Sequence, residues 1–346
     1  MIDAKSVIHK LESVHNATDE ELLLLMGTDY DASVLFEAAD RVRKQVYAGE
    51  VYIRGLIEIS NYCRNNCLYC GIRASNTKVC RYRLTKEQIL SCCASGYELG
   101  FRTFVMQGGE DGAFDDDTMC DIVESVKAAH PDCAVTLSIG EKSRQSYKRL
   151  FDAGADRYLL RHETANSWHY ASLHPPKMKL EARKQCLFDL KDIGYQVGSG
   201  FMVGSPAQRP EHLLEDLRFL QALEPDMIGI GPFISHKDTP FADCANGSVD
   251  LTVKLVAMLR LLFPHALIPA TTALGTIAPD GRERALAAGA NVVMPNLSPQ
   301  SVREHYSLYD NKAHSGAEAA ESLAILKKQV SEAGYEVVVA RGDVKK

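Results

Sequence analysis

The 346-residue sequence has no excess of positive charge: 39 lysines and arginines face 45 aspartates and glutamates, giving a formal charge of -6. A broad nucleic-acid surface needs clustered cations, so that class is excluded, although a small basic pocket for an anion is not. No stretch approaches the ~20 apolar residues that cross a bilayer, so no membrane partner is expected. The run from Leu251 to Phe263 is broken by Lys254 and Arg260 and reads as a packed helix. No secretory leader is expected either, because the short run from Leu22 to Leu25 follows Glu20 and Glu21 without a basic start. No low-complexity linker or exact internal repeat is visible. Without an export signal, the ten cysteines point to metal binding or reduced core thiols in a cytoplasmic protein, not to a disulfide framework.

What is present is alternation. Residues up to about Gly49 carry Leu22, Leu25, Val34, Leu35, Ala38 and Val42 at helical spacing. From Tyr52 onward, short apolar strands are expected at 52–59, 103–107, 134–138, 157–160, 196–203, 227–230, 267–270 and 291–294. Helical stretches at 85–99, 117–129, 143–153, 209–223 and 250–263 lie between them. Eight strands alternating with helices predict an α/β fold, a (β/α)8 TIM-type barrel with N-terminal helices and a C-terminal extension. An open doubly wound sheet is the alternative. The expected division is 1–50 for the helical extension, 51–310 for the barrel and 311–346 for a terminal helix and strand. Polar clusters follow every predicted strand, at the carboxyl ends where barrels of this type place their chemistry.

The densest chemistry is Cys63-Arg64-Asn65-Asn66-Cys67-Leu68-Tyr69-Cys70, a C-x3-C-x2-C spacing. Three thiolates on one loop suit three irons of a four-iron cluster and leave the fourth iron open. A zinc site would want a fourth ligand, for which Cys80 is the nearest candidate. Cys92, Cys93, Cys120, Cys133 and Cys186 read as packed thiols.

Other motifs are weaker singly. Gly108-Gly109-Glu110 after the second strand permits close backbone approach to a ligand. Arg161-His162-Glu163-Thr164-Ala165-Asn166 begins like a zinc-protease motif but has Asn166 in place of the second histidine. Arg161 and Glu163 there suit a ligand's charged groups. Gly198, Gly200 and Gly204 do not match the dinucleotide fingerprint and read as close-packing glycines. Asp115-Asp116-Asp117 reads as a helix start, not a magnesium site.

The cysteine spacing, with an aromatic residue (Tyr69) before the last cysteine, resembles the radical S-adenosylmethionine (SAM) superfamily. The resemblance implies a [4Fe-4S] cluster on Cys63, Cys67 and Cys70, with SAM on the open iron and a 5′-deoxyadenosyl radical formed by reductive cleavage. It implies SAM contacts from Tyr69, Gly108, Gly109, Glu110, Ser138, Glu163, Arg183 and Met202. Further stretches resemble the HydE family of [FeFe]-hydrogenase maturases across roughly 50–310. These include Ser138-Ile139-Gly140-Glu141, the run from Arg157 to Asn166, Pro269-Ala270-Thr271-Thr272-Ala273 and Met294-Pro295-Asn296. That resemblance implies a small cysteine-bound Fe(CO)2(CN) substrate, with other maturation proteins, including a scaffold GTPase, as partners. It also implies a substrate cavity lined by Gln107, Thr136, Arg157, Arg161, Thr271, Thr272, Arg303 and Tyr306. No cysteine follows Cys244, so the second cluster of some maturases is not expected, and Val302 stands near a position where a relative has tyrosine. A lysine mutase of the methylornithine synthase type, which shares the Cys-Arg-Asn-Asn-Cys start, is the competing enzyme. A non-enzymatic iron–sulfur carrier is the competing non-enzyme.

Overall fold

The computed structural model describes residues 3–312 and 319–346. Its strands are β1 (Glu50–Ile53), β2 (Gly55–Ser60), β3 (Thr103–Gly108), β4 (Ala134–Ser138), β5 (Arg157–Leu159), β6 (Gln196–Ser199), β7 (Met202–Val203), β8 (Met227–Ile228), β9 (Gly231–Pro232), β10 (Val292–Val293) and β11 (Glu336–Val338). Six of them pair in parallel in the order β2-β3-β4-β5-β6-β8. Single bridges continue the ring from Met227 to Leu267 and from Pro269 to Val292. Proline lacks the N–H that a full ladder needs, which thins the seventh stave. Hydrogen bonds from Leu56 N–H to Pro295 O (2.9 Å) and from Leu297 N–H to Leu56 O (2.7 Å) bring the last stave back to the first. The fold is therefore the expected (β/α)8 barrel.

Strand alternation sorts the side chains. Ile57, Ile59, Phe104, Met106, Val135 and Leu137 belong to the apolar core shared with the helices. Their neighbours Glu58, Gln107, Thr136, Ser138 and Arg157 face the barrel interior by the same alternation. The predicted fifth strand is interrupted at Gly200, where a Cβ would lie 1.9 Å from Gly229 O. Glycine is required there because two staves approach backbone to backbone.

Helices Ala4–Val14, Asp19–Met26 and Ser33–Tyr47 precede the barrel. They are anchored on helix Val249–Leu262 by Lys254 Nζ to Gly27 O and on its end by His15 Nδ1 and Leu261 O, 2.8 Å apart. Lys254, which interrupted the apolar run, thus holds the N-terminal helices. At the other end of the chain β11 pairs in parallel with β1. The tail beyond it crosses the amino end of the barrel, where Thr103 Oγ1 donates to Arg341 O at 2.7 Å. Asp115 caps helix Asp116–Ala129 by accepting from Thr118 N–H at 2.8 Å. Among the described residues no helix is long and apolar enough to cross a membrane.

Candidate active site

The three cysteines lie on an irregular segment after β2, at the carboxyl end of the barrel, and all are half-buried. Gly109 closes on this segment: a Cβ there would sit 2.2 Å from Tyr62 O and 2.7 Å from Cys63 Cβ. The close approach expected of this glycine is thus made to the cysteine loop itself. Leu68 N–H donates to Leu173 O at 2.9 Å, fixing the loop to helix Ser167–Leu173. Tyr69 Oη donates to His174 Nε2 at 3.1 Å, since His174 Nδ1 faces Tyr170 O at 2.9 Å and carries the proton. Burial pushes the Cys63 and Cys70 thiols up, and Cys67 up to about 12. Such groups are protonated at neutral pH until a metal displaces the proton.

Glu163 holds a left-handed backbone (φ 65), rare for a residue with a side chain. Its N–H donates to Gly200 O (3.1 Å) and its carbonyl accepts from Met202 N–H (3.1 Å), so the chain on both sides fixes it. Its carboxylate accepts from Arg161 Nη2 at 2.8 Å. Behind it, buried His162 lies between Ser199 Oγ (2.9 Å) and Asp216 Oδ1 (3.2 Å). Glu163 and Arg183 are near enough to the loop to act electrostatically on Cys67 and Tyr69. Arg183 Nε lies 2.8 Å from Glu141 Oε1 as an ion pair, but its N–H is not aimed at the oxygen, so neither atom has a hydrogen bond among the described residues. Glu110 accepts from Glu141 N–H and from Arg64 Nε, each at 3.0 Å. Ser138 stands beside Gln107 in the β3–β4 register.

Of the expected substrate contacts, Thr136 and Thr271 are buried at their hydroxyls with no hydrogen-bond partner among the described residues, as is Arg161 Nε. Gln107 donates to Tyr306 Oη at 3.3 Å inside the barrel. Arg303 donates to Ser298 O at 2.8 Å. Arg303 and Thr272 border a cavity of about 330 Å³, shared with Arg282, Lys312 and helix Ala319–Glu332. Arg157 is placed elsewhere. Its guanidinium turns to the amino end of the barrel and bonds Thr103 Oγ1 (2.9 Å), Gln196 Oε1 (3.1 Å), Arg341 O (2.9 Å) and Asp343 Oδ1 (2.6 Å). It is not brought to the cysteine loop.

Two interior groups escaped the sequence reading. Arg54, at the junction of β1 and β2, is buried, with Nε and Nη2 lacking hydrogen-bond partners among the described residues and Nη1 directed at Met227 Sδ. Burial, aided by neighbouring Arg157, drives its pKa well down. A single arginine inside the apolar run from Val51 to Ile59 was the available signal. Glu58, buried on β2, accepts from Asn296 Nδ2 at 2.9 Å and pairs with Lys312. Cys80 is exposed, while Cys92, Cys93 and Cys133 are core residues and Cys120 and Cys186 pack against the core.

Among the described residues no three His, Cys, Asp or Glu side chains converge as the ligands of one metal ion would. A cluster makes no such demand, because each cysteine binds a different iron. The donor set fits a cluster with one open iron, and the unpartnered buried atoms around it fit a polar ligand.

Comparison with known proteins agrees. The family model for the radical SAM superfamily matches residues 57–220. The [FeFe] hydrogenase maturase subunit HydE of Thermotoga maritima is 49% identical over 80% of this chain and 79% of its own length. The chain belongs to the radical SAM superfamily. This radical SAM enzyme uses a [4Fe-4S] cluster and S-adenosylmethionine as cofactors. The 3-methylornithine synthase of Methanosarcina acetivorans is 28% identical over 85% of this chain and 83% of its own. The crystal structure of methylornithine synthase superposes with a TM-score of 0.85 and 26% identity, covering 96% of this chain and 97% of that one. A crystal structure of the maturase HydG, at 22% identity and TM-score 0.80, covers 96% of this chain and 75% of that one and shares the fold.

Proposed function

We propose that this enzyme acts in assembly of the [FeFe]-hydrogenase active-site cluster, on a cysteine-bound Fe(CO)2(CN) precursor. The observation that carries this reading is a set of buried side-chain atoms with no hydrogen-bond partner among the described residues: Arg161 Nε and the hydroxyls of Thr136 and Thr271. Leaving such groups without partners costs stability, so they favour an anionic, hydrogen-bond-accepting ligand. The 49% identity to a hydrogenase maturase supports a role in hydrogenase maturation, and the cysteine-bound iron complex is an anionic ligand of the kind these groups suit. Cys63, Cys67 and Cys70 would hold the cluster, which with SAM supplies the 5′-deoxyadenosyl radical. Glu163, Arg183, Met202, Glu110, Ser138 and the Gly108-Gly109 turn would bind and orient SAM beside Tyr69. Gln107, Tyr306, Thr272 and Arg303 would border the substrate's path. The partners on this reading are other maturation proteins, including a scaffold GTPase, in the cytoplasm. Residues 51–310 would form the catalytic unit.

The similarity to methylornithine synthase across nearly the whole chain supports a second reading, a lysine mutase. Anaerobic incubation of the reconstituted enzyme with reductant and SAM separates the two. Cysteine-bound iron precursor should accelerate 5′-deoxyadenosine release and lysine should not. Acceleration by lysine, with methylornithine formed, would reverse the assignment.

A further inference from the structure

The cysteine loop carries its own brace. Between Asn61 and Asn76 the chain has turns but no helix or strand. Carbonyls in such a segment need donors from elsewhere, or the segment does not hold one shape. One side chain supplies four of them. Arg81 Nη1 donates to Asn61 O and to Ile72 O (2.8 Å), and Nη2 donates to Arg73 O (2.7 Å) and Asn76 O (3.1 Å). Asn61 lies two residues before Cys63 and Ile72 two after Cys70, so one guanidinium ties the entry of the loop to its exit.

The neighbouring arginines are used differently. Arg64 pairs with Glu110 and Arg83 with Asp111. Arg81 has no carboxylate partner among the described residues, and its nitrogens go to backbone. The base it stands on is rigid. Asn61 is fully buried, donates to Cys80 O (2.8 Å) and His305 O (2.7 Å), and accepts from Tyr82 N–H (2.8 Å). The residues on either side of Arg81 are thereby fixed against the loop entry. Only a planar fork of donors reaches four carbonyls at once; a lysine ammonium is a point charge with three donors and cannot span them.

We propose that Arg81 is a positioning residue that holds the cysteine loop in its cluster-receiving shape before iron arrives. The proposal rests on the reading of Cys63, Cys67 and Cys70 as the cluster's ligands. Arg81 touches neither cluster nor SAM on this account; it acts through the loop backbone.

The test compares wild type, Arg81→Lys and Arg81→Ala after anaerobic reconstitution. The measurements are iron per chain, the rate of iron loss to a chelator, and the thermal midpoint of the apoprotein. Both variants should keep the barrel's midpoint and lose iron about tenfold faster, the loss expected when hydrogen bonds from a charged group disappear. Millimolar guanidinium should slow the loss in Arg81→Ala, and ammonium should not; a residue needed only for general stability would not show that selectivity. If Arg81→Ala fails to fold, Arg81→Lys decides the matter. Retention of iron at the wild-type rate in a folded variant would overturn the proposal. If the variant with Cys63, Cys67 and Cys70 all replaced by serine instead keeps its cluster while Arg81 is unchanged, the reading beneath the proposal fails.

Discussion

Buried polar groups around Arg157 at the amino end of the barrel and around Glu163 at the carboxyl end are treated in opposite ways. At the amino end Arg157 is buried and fully engaged by Thr103, Gln196, Arg341 O and Asp343, and Arg341 also reaches Asp156 at 3.0 Å. Burial alone would raise the Asp343 carboxyl, but bonds from Arg341 and Gln196 and the charge of Arg157 carry it well below its ordinary range. At the carboxyl end and in the interior, Arg161, Thr136 and Thr271 keep buried atoms without hydrogen-bond partners among the described residues, and Glu163 holds a strained backbone. A folded chain tolerates such costs where a ligand offsets them. On the proposed function, the contacts of Arg157 are a seal and the carboxyl end is the site. Two similar-looking arginines in one barrel thus do different work, and only their partners reveal it.

The comparison is broken most severely at the cysteine loop. Replacing Cys63, Cys67 or Cys70 by serine should lower reductive SAM cleavage by at least about a thousandfold, as when a group acting as a unit loses a member. Chromatography of 5′-deoxyadenosine measures it, with the apoprotein's thermal midpoint unchanged. Arg161→Met sharpens the contrast within the interior. Substrate-stimulated turnover should fall about 10- to 100-fold, the weight of a hydrogen bond to a charged group. Unstimulated cleavage should persist in the same assay.

The next effect is on stability in acid. His169 is buried between Thr164 Oγ1 (3.0 Å) and Pro206 O (3.1 Å), and burial lowers its pKa to about 4. Below pH 6.5 the unfolded chain takes up a proton that the folded one refuses, so stability is complete above 6.5 and falls as pH drops toward 4. The loss from this one group is about 2 kcal/mol at pH 5. Denaturant titrations of the apoprotein across that window should show it, and His169→Gln should flatten the slope. The smallest effect belongs to the seal. Asp343→Ala should cost about 1–2 kcal/mol, limited by the exposure of Asp343 and the other acceptors of Arg157. SAM affinity should stay unchanged; a tenfold loss would mean that the two ends are coupled.

The architecture was legible because the staves are short apolar runs alternating with helical stretches, and the cysteine loop because its three cysteines lie within eight residues of sequence. Arg157 was not placed correctly by its strand alone. It lies on the interior face beside Thr136 as expected, but Asp343, nearly two hundred residues away, draws its guanidinium to the floor. Long-range pairing of that kind leaves no periodic trace. Arg81 was hidden for a related reason: its partners are backbone carbonyls, which every sequence has. The close approach of Gly109 was foreseen, but its neighbour is Cys63, because glycine records the need for space and not the identity of what fills it. Glu163 was singled out by its place at a strand end, whereas its backbone strain appears only in three dimensions.

The central claim is tested most directly by complementation. This chain should be expressed in a cell that makes the other maturation proteins and an [FeFe]-hydrogenase but lacks its own HydE. The account predicts that hydrogen evolution returns, and that it fails again with Cys63→Ser. Soluble, cluster-loaded protein that cleaves SAM but leaves the hydrogenase inactive in that cell would contradict it.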